Sequence, residues 1–245
     1  MAFTPKVKIF RNGVDNAQAL DRAGVAYKLL HLVRHAEGTH NVSKGYKLPE
    51  HHDARLTKKG IEQCARLSQS TTSLDRVQII VTSPLTRTVQ TSIHSFPSQL
   101  QRGVPFVALE ECRETVNFTC DARRSISEIK GDFPMIDYSL LEHDHDDVWQ
   151  KYEDKFGPQS AFTHERESKD HAHLQARASK FFTWIAGRAE TELAVVTHSC
   201  FLWNVFAHSR LGGDLLDYER DLDLKNHMEQ WFDNCEMRSV LVVFQ

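Results

Sequence analysis

The sequence predicts an α/β fold built on a central, mostly parallel β-sheet. Short apolar segments typical of buried strands occur at residues 27–33, 76–82, 104–109, 193–196 and 237–244. Segments with helical spacing of apolar residues lie between them, at 56–70, 165–190 and 201–209. Alternating strands and helices favour a parallel sheet, and several of these strands end in arginine or histidine. Polar residues at that position indicate a site at the carboxyl ends of the strands.

Composition and charge exclude several classes of protein. The chain of 245 residues is 40% hydrophobic and 26% charged, which is ordinary for a globular protein. We find no internal repeat or linker and therefore predict a single domain over residues 1–245. The net charge of −3 provides no overall basic field, so we expect no nucleic-acid partner and no membrane partner. The sequence does not define the oligomeric state.

The chain carries no recognisable signal for export. The first 25 residues lack the continuous apolar core of a signal peptide, and no later stretch is long and apolar enough to span a bilayer. The 5 cysteines are odd in number and lack the spacing of metal ligands. We therefore expect reduced thiols and a cytoplasmic location. Residues 1–26 form a polar arm that we expect on the outside of the fold, and residues 225–235 look irregular.

The segment LVRHAEGTHN, residues 32–41, holds the strongest chemical signal. Arg34 and His35 end the first apolar run, where a buried strand delivers polar side chains to the edge of a sheet. The guanidinium of an arginine can hold an oxyanion, and an imidazole can act as nucleophile, base or metal ligand. The alternative is a strand end at which both side chains only meet solvent.

Later strand ends supply further candidates. Arg87 follows the second strand in a helix that begins near Pro84, where free N–H groups and the helix dipole favour anions. A surface arginine is the alternative there. Glu111 and Glu114 follow the third strand, and His198 follows the fourth.

The two acids have a structural alternative of their own, in which they form surface ion pairs with Arg113 and Arg123. The periodicity breaks up over residues 115–162, which we interpret as a cap insertion of short helices and loops. Its aromatic residues are either plain core or the apolar wall of a substrate pocket.

Together these motifs resemble the histidine phosphatase superfamily, which includes cofactor-dependent phosphoglycerate mutases and many phosphatases. The resemblance rests on LVRHAE with His40 and Asn41, LTKKGIEQ at 56–63, SPLTR at 83–87, CRE at 112–114 and THS at 197–199. CDARR at 120–124 is similar to the phosphoglycerate mutase-like branch of plants and fungi. Cys200 departs from the family pattern, in which glycine is usual. The resemblance implies a three-layer α/β/α sandwich with a central, mostly parallel sheet and the cap insertion.

The resemblance also implies a function, namely a metal-independent phosphatase that forms a phosphohistidine on His35. No cofactor and no metal are implied, and the expected partner is a phosphorylated small-molecule substrate, held as a phosphate ester or diphosphate. Glu114 is the first choice for the acid that protonates the leaving group, and Glu111 is the second. The implied catalytic residues are His35, Glu114 and His198, and the expected substrate-binding residues are Arg34, Asn41, Arg87, Thr39, Ser199, Arg123 and Arg124.

Three questions stay open at this level. Arg123 and Arg124 either bind a second anionic group or pair with Glu142, Asp144 and Asp146. A phosphoglycerate-type phosphomutase and a non-catalytic phosphate-binding regulatory protein are the alternative functions. Mutases of the family usually carry tryptophan where this chain has His40, which favours hydrolysis. Paired arginines allow a second carboxylate or phosphate on the substrate, whereas an aromatic cap allows an apolar tail.

Overall fold

A computed structural model describes residues 6–70, 72–158, 166–207 and 215–245. Within these ranges 7 strands form one sheet, in the spatial order β4-β3-β5-β2-β7-β1-β6. They are β1 (Val7–Arg11), β2 (Lys28–Arg34), β3 (Ile79–Thr82), β4 (Phe106–Ala108), β5 (Glu192–Thr197), β6 (Leu216–Asp217) and β7 (Met237–Phe244). Only β7 pairs antiparallel to its neighbours β1 and β2, and the other described pairs are parallel. The predicted mostly parallel sheet is confirmed.

Helices cover both faces of this sheet. In the described part of the chain they are α1 (Val14–Arg22), α2 (Thr39–Ser43), α3 (Lys58–Ser70), α4 (Thr86–Ser95), α5 (Pro97–Gln101), α6 (Ile126–Asp132), α7 (Asp147–Phe156), α8 (His171–Ala186), α9 (Ser199–Phe206) and α10 (Leu222–Glu229). None of these helices is long and apolar enough to cross a membrane.

Two apolar clusters show why the fold has three layers. Successive side chains of a strand point to opposite faces, so β2 sends Leu32 to one cluster and Val33 to the other. The Leu32 cluster includes Phe181 of α8 and Phe201 of α9. The Val33 cluster includes Val89 of α4. The strands are therefore buried on both faces, as a parallel sheet between helices requires, and the predicted three-layer α/β/α sandwich is confirmed.

Three sequence-based boundaries differ from the structure. The N-terminal arm is not peripheral, because β1 lies inside the sheet and the side chains of Val7 and Ile9 are fully buried. The region expected to be irregular holds α10, whose N-cap Asp221 accepts a hydrogen bond from the Leu224 N–H. The helix predicted over 165–190 begins only at His171, because Asp170 caps it there. Residues 159–165 and 208–214 lie outside the described residues, so those ends of the predicted helices and cap are not described.

The strand register brings the predicted site to one edge of the sheet. Arg34 at the end of β2 is level with Thr197 at the end of β5, and Thr82 at the end of β3 is level with Val196. Thr82 is also level with Ala108 at the end of β4. The segments that follow these four strands therefore emerge side by side. The limits of the domain and of the cap stay predictions.

Candidate active site

A cavity of about 350 Å³ lies at the carboxyl edge of the sheet. It is lined by residues from the loops after several strands rather than by one continuous segment. The residues from the sequence-based candidates that line it are Arg34, His35, Asn41, Arg87, Glu114 and Ser199. The ring of His198 lies next to it, with its centroid 5.1 Å from that of His35.

His35 is held as a neutral imidazole with a defined tautomer. Its Nδ1 lies 2.8 Å from the carbonyl oxygen of Ala36. A carbonyl only accepts hydrogen bonds, so Nδ1 carries the proton and Nε2 keeps its lone pair. Burial, followed by the charges of Arg87 and Arg34, holds the pKa of His35 well below its ordinary value of 6.5. The ring is therefore an uncharged nucleophile or base at neutral pH.

The backbone behind His35 is also fixed. Its carbonyl oxygen accepts hydrogen bonds from the backbone N–H of Cys235 and from the side-chain amide of Asn234, both at 3.2 Å. Asn234 also lies 3.5 Å from Oδ1 of Asn41, which in turn accepts from the N–H of Gly38 at 2.9 Å. Because Oδ1 of Asn41 is used by these donors, its amide nitrogen is the part that can donate to an anion in the cavity.

Two guanidinium groups line the same cavity, that of Arg87 buried and that of Arg34 partly buried. Arg87 is 1% exposed, donates to the Cys120 carbonyl and lies 3.2 Å from Oδ1 of Asp121. Arg34 donates to the Phe232 carbonyl at 2.6 Å. The Nε groups of both arginines are buried and find no hydrogen-bond partner among the described residues. A buried donor without a partner is costly, so both groups retain capacity for a further hydrogen bond to an acceptor.

Two further imidazoles flank His35 and are also neutral. His198 Nε2 lies 2.8 Å from Ser83 Oγ, and burial together with Arg87 keeps its pKa well below the ordinary value. The His40 ring centroid lies 5.5 Å from that of His35, and burial followed by Arg87 lowers the pKa of His40 to about 2. In both rings Nδ1 is buried without a partner in the part of the chain that the structure describes.

Glu114 is a buried carboxyl group anchored by backbone N–H groups. Its Oε1 accepts from the N–H groups of Thr115 and Phe201, both at 2.9 Å, and its Oε2 accepts from Cys200 at 3.3 Å. Cys200 and Phe201 lie in the first turn of α9, where free N–H groups are available. Burial, and then the charge of Asp121, raise the pKa of Glu114 to about 7. The group is thus able both to give and to take a proton near neutral pH.

Comparison with known proteins assigns the family. A sequence model of the histidine phosphatase superfamily, branch 1, matches residues 30–232. The chain belongs to this superfamily. A phosphoglycerate mutase-like protein of Arabidopsis thaliana is 34% identical over 250 residues, covering 88% of this chain and 84% of the relative. Phosphoglycerate mutase-like protein 1 of the same plant is 31% identical and covers 88% of this chain and 81% of its own length.

A solved structure shows the same fold. The alpha-ribazole phosphatase of Shigella flexneri aligns with a TM-score of 0.53 at 16% identity, covering 86% of this chain and 89% of that one. At this identity the likeness concerns the fold alone.

In this histidine phosphatase superfamily member, Arg123 and Arg124 do not reach the cavity that holds His35. The terminal nitrogens of Arg123 donate to backbone carbonyls, among them that of Asp144 at 2.8 Å. Arg124 pairs with Asp53 at 3.1 Å and with Asp132 at 3.0 Å. Both guanidinium groups therefore join loops outside this cavity, and their part in substrate binding stays a prediction. Both arginines also form ion pairs, Arg123 with Glu110 and Arg124 with Asp53 and Asp132, rather than with Glu142, Asp144 and Asp146.

Two other candidates also lie away from His35. Thr39 does not line the cavity, and its hydroxyl lies 3.2 Å from Nδ1 of His51. Its part in substrate binding stays a prediction. Glu111 lines a separate cavity of about 300 Å³. Of the two acids considered for protonation of the leaving group, Glu114 is the one that shares a cavity with His35.

Sequence reasoning missed several residues of the site. Asp121 is 4% exposed, lines the cavity beside Arg87, and accepts hydrogen bonds from the N–H groups of Asn117 and Phe118. The CDARR motif contains Asp121, but only the two arginines of that motif were considered as candidates. The aromatic side chains of Tyr46, Phe118 and Trp231 also line the cavity. Their segments carry no pattern that separates a pocket wall from ordinary core.

The arginine of the CRE motif has a structural role. Arg113 is fully buried, and its two terminal nitrogens lie 2.7 and 2.8 Å from the carboxylate oxygens of Asp146. Asp146 also caps α7 by accepting from the Trp149 N–H. Despite burial, the charge and hydrogen bonds of Arg113 lower the pKa of Asp146 to about 2. This pair fixes the segment that precedes Glu114 to the start of α7.

Replacing Asp146 with asparagine is expected to lower the free energy of unfolding by about 1–3 kcal/mol, because the buried guanidinium of Arg113 loses one of its two charged partners and keeps Glu110. Urea unfolding at pH 7 measures the loss, with Glu142→Gln as a control at a side chain that is 89% exposed. Since the folded pKa of about 2 lies below the ordinary 3.8, the stabilisation is present above about pH 4. It disappears as the pH falls through 2. Equal stability of the two variants at pH 7 would contradict this role.

Proposed function

We propose that this chain is a metal-independent phosphatase that hydrolyses the phosphate ester of a small metabolite through a phosphohistidine on His35. The observation that carries the proposal is the Nδ1 hydrogen bond of His35 to the Ala36 carbonyl, which leaves Nε2 as the free nitrogen of a neutral ring. That ring lines a cavity with two arginines and a carboxyl group whose pKa is near neutral. Phosphoryl transfer needs a nucleophile, cationic donors and an acid, and this cavity offers all three.

In the first step, Nε2 of His35 attacks phosphorus in line with the ester oxygen. The N–P bond forms as the P–O bond breaks, and Glu114 gives its proton to the departing alkoxide oxygen. Negative charge spreads over the three other phosphate oxygens in the transition state. Fixed donors in a water-poor cavity stabilise this charge more strongly than water does. Those donors are Arg34, Arg87, His198, Asn41 and Ser199.

In the second step, water attacks the phosphohistidine. The ionised Glu114 takes one proton from the water as the O–P bond forms, and the electron pair of the broken N–P bond returns to Nε2 of His35. Inorganic phosphate leaves, His35 is neutral again and Glu114 is protonated again. One carboxyl group can serve in both directions because its pKa is raised to about 7.

The direct test is turnover of p-nitrophenyl phosphate by the purified protein in excess EDTA. We expect phosphate release that EDTA leaves unchanged. A protein that binds inorganic phosphate but hydrolyses no ester is instead a phosphate-binding regulatory protein, and the proposal then fails.

A phosphomutase is the second candidate, and the names of the Arabidopsis relatives favour it. Both reactions use the same phosphohistidine and differ in whether water or a second substrate hydroxyl accepts the phosphoryl group. Incubating the protein with ³²P-labelled 3-phosphoglycerate separates them. We expect labelled inorganic phosphate from a hydrolase, whereas a mutase transfers the label to the 2-position of the product.

Asp121→Asn is expected to move the pH dependence of the reaction. The ionised Asp121 raises the pKa of Glu114 by like charge, so its neutral replacement lowers that pKa below about 7. The decline of kcat/KM with rising pH, measured with a poor leaving group, should therefore begin at lower pH in the variant. Glu111→Gln, which changes an acid outside the cavity, is the matched control. An unchanged profile in Asp121→Asn would exclude this coupling.

A further inference from the structure

From the mouth of the cavity we infer that the site selects phosphate monoesters of uncharged alcohols that carry one flat apolar group, such as an aryl-methyl alcohol. The inference rests on the proposed function and names its substrate class. It depends on three features of the cavity outside the phosphate position: its aromatic walls, its charges and its size.

One wall of the cavity is a continuous aromatic surface. The Tyr46 ring centroid lies 5.9 Å from that of His40, in edge-to-face orientation, and 6.1 Å from that of Phe118. His40 lies beside His35 at 5.5 Å, so this surface extends from the nucleophile outward. Tyr46 is 37% exposed although it is a large apolar side chain. An aromatic surface that stays open to solvent next to a polar reaction centre is typical of a binding site.

Trp231 supplies a second aromatic surface. It is 53% exposed, and its ring stacks on Trp203 with centroids 4.9 Å apart and an interplanar angle of 15°. The next residue, Phe232, accepts the hydrogen bond of Arg34 through its carbonyl oxygen. The stacked partner holds the Trp231 ring in place, so a flat group can bind against it with little loss of side-chain entropy.

The charges in the cavity disfavour a second anionic group on the substrate. Within the described ranges, the cationic residues that line it are Arg34 and Arg87, and both are needed for the phosphate. Glu114 and Asp121 are the acids in the same lining. Lys47 does not line the cavity, and its Nζ lies over the Phe118 ring at 5.6 Å. A carboxylate or second phosphate therefore meets buried acids rather than a cation, which costs binding energy.

The volume sets the size of the group that fits inside the cavity. About 350 Å³ is near the lower end of the range of roughly 300–1,000 Å³ seen for small-molecule pockets. This space accommodates one phosphate and one ring. Together the three features favour a neutral, flat alcohol.

The test compares four esters of primary alcohols, so that all have similarly poor leaving groups. They are benzyl phosphate, ethyl phosphate, glycerol 3-phosphate and 3-phosphoglycerate. We expect kcat/KM for benzyl phosphate to exceed that for ethyl phosphate about tenfold, mainly through KM, because of stacking and apolar burial. We expect 3-phosphoglycerate to be about tenfold poorer than glycerol 3-phosphate, because the two differ by the added carboxylate. Preference for 3-phosphoglycerate overturns the inference.

Variants at the mouth of the cavity test whether the preference for benzyl phosphate depends on the aromatic walls. Trp231→Ala should lower the ratio of kcat/KM for benzyl to ethyl phosphate about fivefold, whereas Trp231→Phe keeps a ring and should retain most of the ratio. Leu222→Ala is the matched control, since Leu222 is an exposed apolar residue outside the cavity at 67% exposure. Equal ratios in the wild type, Trp231→Ala and Leu222→Ala proteins contradict a role for Trp231.

A binding experiment separates the two proposals. Isothermal titration with benzylphosphonate, ethylphosphonate and 3-phosphonopropionate measures selectivity without turnover. If benzylphosphonate binds most tightly but no ester is hydrolysed, the proposed selectivity stands and the proposed hydrolase activity is refuted. If esters are hydrolysed but 3-phosphonopropionate binds most tightly, the hydrolase activity stands and the proposed selectivity is refuted. A protein that neither binds the phosphonates nor hydrolyses esters refutes both.

Discussion

His35→Ala is expected to reduce kcat/KM for every phosphate ester by about 10⁴-fold or more, because the variant lacks the atom that forms the covalent intermediate. The same substitution should abolish the phosphoenzyme that forms when wild-type protein is quenched with labelled substrate. The label in wild type should be stable to alkali and released by acid, as expected for phosphohistidine. Its position can be read by peptide mass spectrometry.

The control for this prediction is His94→Ala, which removes an exposed histidine of α4 outside the cavity. We expect this variant to keep the activity and the label. A label on Ser199 or Cys200, or full activity in His35→Ala, would refute the proposed nucleophile.

Glu114→Gln is expected to slow hydrolysis of ethyl phosphate by about 10²–10⁴-fold, the contribution usual for a general acid. The effect on p-nitrophenyl phosphate should be much smaller, because its leaving group departs without a proton. Glutamine keeps the shape of the side chain, and its Oε1 can still accept from the N–H groups of Thr115 and Phe201, although the longer bond from Cys200 is lost. Similar losses on both esters would mean that Glu114 positions the site rather than donating a proton.

The pH profile gives an independent test of the same group. Glu114 must be protonated for the first step, so kcat/KM for ethyl phosphate in wild type should fall as pH rises through about 7. His35 stays neutral over this range because its pKa is well below 6.5, so it adds no opposing change. The Glu114→Gln variant should lack the decline. Because this variant is assayed with the same ester, its profile also corrects for the ionisation of the ethyl phosphate itself.

The fold was accessible from sequence because local patterns agreed with the global arrangement. The apolar runs that end at Arg34, Thr82 and Thr197 are strands in the structure, and their register is the one that a parallel sheet requires. Segments after parallel strands meet at one edge, so the order of polar residues along the chain was enough to bring His35, Arg87 and Glu114 together. The N-terminal arm was expected on the outside because mixed polar and apolar residues resemble a surface segment, whereas β1 lies between β7 and β6.

The side-chain pairings were not accessible. An arginine in a motif can bind substrate or close a loop, and only the distances to Asp53 and Asp132 show that Arg124 does the second. Asp121 was missed because its role depends on Arg87, which is distant in sequence. Tyr46 and Trp231 come from separate loops, and no spacing rule joins them. All of these contacts depend on the tertiary structure. Sequence patterns indicate mainly the local conformation and which face of a helix or strand is buried.

The hydrogen bonds from Asn234 and Cys235 to the His35 carbonyl join parts of the chain that are far apart in sequence. Asn234 is 199 positions from His35 in the chain, and β7, which follows it, must enter the sheet between β1 and β2. Contacts of such large sequence separation form only after much chain entropy has been lost. A partly folded chain that lacks β7 can therefore keep the His35 bonds to Ala36 and Thr197 and still lack the two donors to the His35 carbonyl.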